Sequence, residues 1–309
     1  MAPTRDDVLE AAGRIRGRVH RTPTFSSRTL GARTYLKAEL FQKTGSFKAR
    51  GVLNKLATLT PEERERGVIG ISAGNHAQAL AWGAALEDID CLVVMWEGAS
   101  AAKLAATRGY GAAVDLDADG PGTAFARLKT LIEETGRVLV HPFDDPLVIA
   151  GQGTVALELL EDAPDVETIV VPVGGGGLVS GIAAGAPDRR ILAVEPEESR
   201  AVHEGLAAGH SVPVTPVSIA DGLSAPFAGE LALEVLRSHG RVESVLVSEA
   251  EIEDAFRFLY ERAKLACEPA AAVGVAAILA GKAGDGPVAA VVSGGNVAGQ
   301  TASAILARR

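Results

Sequence analysis

The chain has 309 residues, of which 47% are hydrophobic and 22% charged, as in an ordinary globular protein with room for a large core. Its net charge of −9 opposes binding to nucleic acid and to anionic membrane surfaces, so we expect neither as a partner. The charged N-terminal residues are unlike a signal peptide, and the apolar run 270–281 is too short to span a bilayer, so we expect a cytoplasmic protein. The two cysteines form no CxxC pair, so we expect no zinc cluster.

Short apolar runs alternate with helical patterns along the chain, which predicts an α/β architecture with mostly parallel strands. The predicted helices lie at 5–16, from about 46, and at 75–86, 99–108, 122–134, 151–160, 249–266 and 270–281, with one more after the glycine-rich turn and one at the end of the chain. The predicted strands lie at 34–39, 68–72, 91–96, 113–116, 138–141, 168–173, 190–195, 244–247 and 288–293. We expect a small α/β domain at 53–143 and a large, discontinuous domain at 1–52 and 144–309.

The first segment that could carry chemistry is TGSFKARG, at 44–51. Lys48 lies about one turn into a predicted helix that Ser46 could cap. A lysine desolvated among small and aromatic neighbours loses basicity and becomes a nucleophile that can form a Schiff base. A solvated helix lysine is the ordinary alternative, and this segment taken alone favours it.

The second segment is ISAGNHAQ, at 71–78, between an apolar strand and a helical pattern. Ligands bind beyond the carboxyl ends of strands in open α/β sheets, and Ser72 and Asn75 beside a helix N-terminus would suit a carboxylate. A capped turn would explain Ser72 but would leave Asn75 and His76 without a role. A lone histidine such as His76 is more often structural than catalytic.

The third segment follows the strand predicted at 168–173 and consists of Gly174, Gly175, Gly176, Gly177 and Leu178. Backbone N–H groups in such a turn converge on an anion and the next helix adds its dipole, so we expect a phosphate site. With an acid at Glu195, the layout also resembles a dinucleotide site. The spacing G-x-G-x-x-G fails, however, because it needs a glycine at Val179 or Ser180.

The fourth segment is VSGGN, at 292–296, where Ser293 could hydrogen-bond a ring nitrogen, although the motif alone is typical of a simple turn. Together the four segments resemble the fold-type II pyridoxal-phosphate (PLP) enzymes, most closely the serine/threonine dehydratases and the related serine racemases. The motifs that carry the resemblance are KAELFQKTGSFKARG, SAGNHAQ, VPVGGGGLVSGIA, AVEP, ADG, CEPAAAVGVAA and SGGNV. The resemblance extends from about residue 20 to residue 300.

The resemblance implies a two-lobed α/β fold in which each lobe is a mostly parallel sheet flanked by helices. It implies that PLP is carried covalently by Lys48, with Phe47 near its ring, Asn75 at its ring hydroxyl and Ser293 at its pyridine nitrogen. A serine cannot protonate that nitrogen as an aspartate would. The ring is then a weaker electron sink, which favours expulsion of a β-hydroxyl over transamination.

The resemblance also assigns the phosphate to the glycines 174–177 and the Leu178 amide. The residues that would line the substrate site are Ser72, Ala73, Asn75 and His76. The implied reaction removes water from L-threonine or L-serine, with Lys48 taking the Cα proton. The hydroxyl leaves with a proton from the cofactor phosphate, and the released enamine hydrolyses to a 2-oxo acid and ammonia.

Two positions depart from the racemase pattern. Racemases of this family have a serine as second base where this chain has Ala73, which cannot move a proton, so we expect a dehydratase. The first ligand of their divalent metal matches Glu195, but the second carboxylate position is Ala201 and Ser199 offers only its backbone carbonyl. These residues are therefore as compatible with a monovalent ion, or with no ion, as they are with magnesium. The family also suggests a homodimer.

Other functions stay open at this point. A dehydratase for another 3-hydroxy amino acid, such as 3-hydroxyaspartate or phenylserine, has the same motifs, and the stretch 221–227 that would line the pocket does not indicate the β-substituent. A serine racemase is a third possibility. From other classes come a nucleotide-binding protein without PLP, which would use the glycine loop and Glu195, and a catalytically silent ligand-binding relative.

Overall fold

The structure is a computed structural model that describes residues 1–308, apart from the side chain of Pro121. In this part of the chain the strands are β1 (Thr24–Ser26), β2 (Thr34–Ala38), β3 (Val68–Ile71), β4 (Cys91–Val94), β5 (Ala113–Asp115), β6 (Val138–Leu139), β7 (Thr168–Pro172), β8 (Arg190–Pro196), β9 (Val242–Val247) and β10 (Val288–Val292). The helices are α1 (Arg5–Ile15), α2 (Lys48–Leu56), α3 (Pro61–Arg66), α4 (Asn75–Leu86), α5 (Ala101–Gly109), α6 (Pro121–Thr135), α7 (Pro146–Asp162), α8 (Gly177–Gly185), α9 (Ala201–Ala208), α10 (Glu230–His239), α11 (Glu249–Phe258), α12 (Pro269–Leu279) and α13 (Gly299–Ala307).

The strands form two separate sheets. The larger has six strands in the order β1-β2-β10-β7-β8-β9, all parallel except β1, which pairs antiparallel with β2. The smaller has four parallel strands in the order β5-β4-β3-β6. The predicted fold class, two lobes each built on a mostly parallel sheet flanked by helices, is confirmed. The division of the chain near residues 52 and 143 stays a prediction.

Both faces of the larger sheet are covered, which explains its continuous apolar strands. All five residues of β7 and all five of β10 are buried. Val170 packs in one core with α11 and α12, whereas its neighbours Ile169 and Val171 pack in the other with α7 and α8. Glycine lets α7 and α8 approach closely, because a Cβ on Gly181 would lie 2.4 Å from the Ile149 carbonyl oxygen.

Most predicted elements are present, with ends shifted by a few residues. The helix predicted at 249–266 is three residues too long: α11 ends at Phe258, a π-helical turn continues it through Leu259–Ala263, and Lys264 ends it with a positive φ of 60°. α7 begins five residues before the predicted start, because the Asp145 carboxylate caps its first turn. The apolar run 270–281 is confirmed as a buried helix, α12.

In the described residues, every helix is too short or too polar to cross a membrane.

Candidate active site

The end of β10 holds the turn that carries Lys48. Ser46 is extended and forms an isolated antiparallel bridge with Gly294, and the Phe47 amide donates to the Ser293 carbonyl at 3.2 Å. α2 then begins at Lys48, with Phe47 at the position that precedes it. The expected Ser46 cap is therefore wrong, because the extended bridge commits this residue to β10 instead. Lys48 is thereby held beside Ser293, which lies near the other end of the chain.

The Lys48 amine is held at the junction of the two sheets. Its Nζ donates to the Pro142 carbonyl oxygen at 2.7 Å and lies 5.1 Å from the centre of the Phe47 ring. Burial lowers the pKa of Lys48 to about 8, and the negative charge of Glu268 offsets part of this effect. A substantial fraction of the amine is therefore neutral near pH 8, as nucleophilic attack on a carbonyl requires.

The glycine loop after β7 has no room for side chains. A Cβ on Gly175 would lie 2.5 Å from the Phe143 ring, and one on Gly177 would lie 2.8 Å from the Phe143 carbonyl oxygen. Gly176 has a φ of +95°, which side chains rarely tolerate. The first amide groups of α8 have no partner within the helix, so this turn presents N–H donors and a positive dipole end to an anion. The loop thus has the form of a phosphate cradle.

The turn after β3 places Ser72 and Asn75 at the start of α4. The Ser72 hydroxyl accepts a hydrogen bond from the Gly74 amide at 3.0 Å, as the capped-turn alternative predicted. Ser72, Ala73 and Asn75 are half-buried, so they border accessible space. The free amides of the first turn of α4 would suit a carboxylate.

The His76 side chain lies away from that turn. Its Nε2 is 2.8 Å from the Val140 carbonyl oxygen, and burial together with the positive charge of Lys48 lowers its pKa to about 3. The ring is therefore neutral and donates from Nε2 to the carbonyl. The side chain fixes α4 to the chain after β6, and what His76 can offer a substrate is its backbone amide.

Two residues of this site were absent from the sequence-based set of site residues: Glu268 and Asn296. The Asn75 Nδ2 donates to Glu268 Oε1 at 2.6 Å, and the Asn296 Nδ2 donates to Asn75 Oδ1 at 2.8 Å. Burial raises the pKa of Glu268 to about 7, opposed by the bond from Asn75 and, more weakly, by Lys103 and Lys48. An acid directly before Pro269, at the start of an apolar helix, was the signal available for Glu268.

Glu195 has a structural role. Its two carboxylate oxygens accept the amides of Val202 and His203 at 2.8 and 2.7 Å, at the start of α9. Burial raises its pKa to about 8. Within residues 1–308 no three His, Cys, Asp or Glu side chains cluster as metal ligands would. A metal at Glu195 stays a prediction for which the described geometry offers no support.

These residues fit PLP. Lys48 supplies an amine for the aldehyde, the loop 174–177 supplies an anion cradle from which side chains are excluded, and Ser293 lies buried at the end of β10. The individual roles assigned to these residues, and to Asn75 and Leu178, stay predictions.

Comparisons with known proteins identify the family. Residues 15–294 match the model of the family described as pyridoxal-phosphate dependent enzyme. The chain is 44% identical to the L-threonine ammonia-lyase of Thermotoga maritima, over 95% of this chain and 76% of that protein. It is 40% identical to the catabolic L-threonine dehydratase TdcB of Escherichia coli K12, over 94% and 92% of the two chains.

Among solved structures, maize serine racemase matches with a TM-score of 0.92 and 38% identity, over 97% of this chain and 96% of that one. The resemblance seen in the motifs is therefore confirmed, and the chain belongs to the family of fold-type II pyridoxal-phosphate dependent enzymes.

Proposed function

We propose that this protein eliminates water from L-threonine and L-serine, releasing ammonia and a 2-oxo acid. The observation that carries the proposal is the Lys48 amine, which has a lowered pKa and donates to the Pro142 carbonyl, one residue before the Phe143 ring that packs against Gly175. The similarity to an L-threonine ammonia-lyase and to an L-threonine dehydratase, each at 40% identity or more, supports the same reaction.

When bound, PLP supplies an electron sink for the bonds at the substrate Cα. The amide groups that begin α4, next to Ser72, would orient the substrate carboxylate, and the loop 174–177 with the Leu178 amide would hold the phosphate. Lys48 is the general base that takes the proton from Cα, since its pKa of about 8 lies close to neutral pH. Asn75 would hydrogen-bond the ring hydroxyl, and the Ser293 hydroxyl, which is too weak an acid to protonate the ring nitrogen, would hydrogen-bond it instead.

Elimination is favoured over inversion by Ala73. Inversion needs a proton donor on the face of Cα opposite Lys48, and a methyl group cannot serve. Ala73 lies in the turn between β3 and α4, next to Ser72, whose hydroxyl already accepts the Gly74 amide. Because the chain is also similar to a serine racemase, racemase activity is measured alongside elimination.

We further propose that the enzyme acts in the cytoplasm as a homodimer. Both cysteines are free and buried, which suits a reducing compartment. The exposed aromatic pair Phe25 and Phe41 at the edge of the larger sheet supports association.

The proposal is tested by offering the purified holoenzyme L-threonine, L-serine, 3-hydroxyaspartate and phenylserine in turn. Ammonia and 2-oxo acid release are measured together, and D-serine is measured by chiral chromatography. We expect turnover of threonine and serine, and a loss of about a thousandfold or more in Lys48→Ala. Preference for 3-hydroxyaspartate or phenylserine, or D-serine formed faster than pyruvate, would overturn the assignment.

A further inference from the structure

The Asn75 carboxamide is held at both ends by residues of the larger sheet's lobe. Its Oδ1 accepts from Asn296 Nδ2 at 2.8 Å, and its Nδ2 donates to Glu268 Oε1 at 2.6 Å. The Asn296 Nδ2 also donates to the Thr44 carbonyl at 2.7 Å. Both hydrogens of Asn296 are thereby used, so this amide can face Asn75 only as a donor.

The orientation of Asn75 follows from these two bonds. Its oxygen must face Asn296, so its nitrogen faces Glu268. A carboxamide nitrogen carries two hydrogens, and Glu268 takes one. Among the described residues, the second hydrogen is the donor of this side chain that remains for a ligand.

The Glu268 carboxylate accepts a hydrogen bond from Asn75 and makes none to its own helix. It is 3% exposed and precedes α12, yet its carboxylate makes no capping bond to that helix. The fold keeps space for it, because a Cβ on Gly294 would lie 2.4 Å from Glu268 Oε1 and 3.2 Å from Asn75 Nδ2. The Glu268 amide donates to the Gly294 carbonyl at 3.1 Å, which fixes the two segments together.

We propose that Glu268 is a positioning residue, whose carboxylate holds the Asn75 carboxamide so that its remaining N–H is directed to the ring hydroxyl of PLP. This rests on the proposed contact between Asn75 and the cofactor. Without an acceptor at 268, the carboxamide loses the partner that fixes its nitrogen. It is then held through its oxygen alone, by Asn296, so the nitrogen is less well directed and its hydrogen bond to the cofactor is weakened.

The test measures cofactor binding, so it is independent of which amino acid the enzyme uses. The dissociation constant and the absorption maximum of bound PLP are recorded at pH 9 for wild type, Glu268→Ala, Glu268→Gln, Asn75→Ala and the double variant Asn75→Ala/Glu268→Ala. We expect Glu268→Ala to weaken PLP binding about tenfold, the effect of one hydrogen bond, and to shift the absorption maximum. Glu268→Gln keeps an acceptor oxygen and should restore binding to within about threefold of wild type.

The double variant separates positioning from a general structural role. If Glu268 acts through Asn75, its removal changes PLP binding less than about twofold once Asn75 is alanine. Equal losses in both backgrounds, or a Glu268→Gln variant as weak as Glu268→Ala, would overturn the proposal. Glu268→Gln has nearly the shape of the wild-type residue, so it tests the proposal even where the alanine variants fold poorly. A Glu268→Gln variant that binds PLP about tenfold or more weakly than wild type would contradict the proposal by itself.

Discussion

Lys48 and Glu268 share one electrostatic environment. The charge of Glu268 raises the pKa of Lys48, and burial, the larger effect, lowers it to about 8. Since only the neutral amine attacks an aldehyde, the rate at which the apo protein captures PLP should rise with pH and level off above about pH 8. Glu268→Gln removes the one charge that raises this pKa, so the midpoint should move to lower pH.

Stopped-flow absorbance between pH 6 and pH 10 measures this midpoint. Glu243→Gln is the control, since this carboxylate is exposed and pairs with Arg190 on β8. It should leave the midpoint unchanged. A midpoint in Glu268→Gln that stays in place or moves to higher pH would show that Glu268 exerts no field at Lys48.

At the scale of elements, α2 is fixed by a buried ion network. The Arg50 guanidinium, fully buried two residues after Lys48, pairs with Glu39 at 2.8 Å and with Glu158 of α7 at 2.7 Å. Arg50→Ala leaves the buried Glu39 carboxylate with the Thr22 hydroxyl as a donor but without a cation, which should lower the free energy of unfolding by about 3–5 kcal/mol. Urea unfolding of the holoenzyme measures the loss.

The control for Arg50 is Arg200→Ala, since Arg200 forms an exposed pair with Glu204 one helical turn away. Its loss should cost about 0.5 kcal/mol or less. Equal costs for the two variants would mean that burial adds nothing to the Arg50 network.

The sequence was most informative where local chemistry decides the structure. Alternating apolar and turn residues predicted most strands and placed α4 at its observed bounds, 75–86. The glycine loop and Ser293 were found because each follows a strand end, whereas Lys48 was identified by its small and aromatic neighbours and by the family resemblance. The π-helical turn at 259–263 was missed, since the apolar pattern of a helix continues through it.

The residues that hydrogen-bond Asn75 could not be predicted from the sequence around each of them. Glu268 and Asn296 lie 193 and 221 positions from it, and each looks ordinary in its own segment. The pairing of side chains across two lobes depends on how the sheets pack, which no spacing encodes. The same limit applies to the lowered pKa of Lys48, which depends on burial in the assembled fold.

At the scale of the whole molecule, one edge of the larger sheet carries exposed aromatic rings. Phe25 on β1 is 41% exposed and Phe41 is 48% exposed, with ring centres 6.5 Å apart. Polar groups are the usual protection of an edge strand, so an aromatic pair there suits burial against a second copy. The double variant Phe25→Ser/Phe41→Ser should shift the protein from dimer to monomer in sedimentation velocity at micromolar concentration.

The matched control for this pair is Leu279→Ser, at the end of α12, since Leu279 is 45% exposed and lies far along the chain from β1. It should leave the dimer intact. A monomeric wild-type protein, or a serine double variant that sediments as a dimer, would rule out this edge as the interface.

The backbone at 140–143 touches three parts of the site. Val140 pairs with β3 and accepts from His76, the Pro142 carbonyl holds Lys48, and the Phe143 ring lies under Gly175. A displacement of the smaller sheet is therefore transmitted to the lysine and to the phosphate loop at once. By thermodynamic linkage the effect also runs in the other direction: if PLP binds one arrangement of the lobes more tightly, bound PLP stabilises that arrangement. Loss of the cofactor then loosens the connection between lobes, so the apo protein should be the form that cellular proteases remove first.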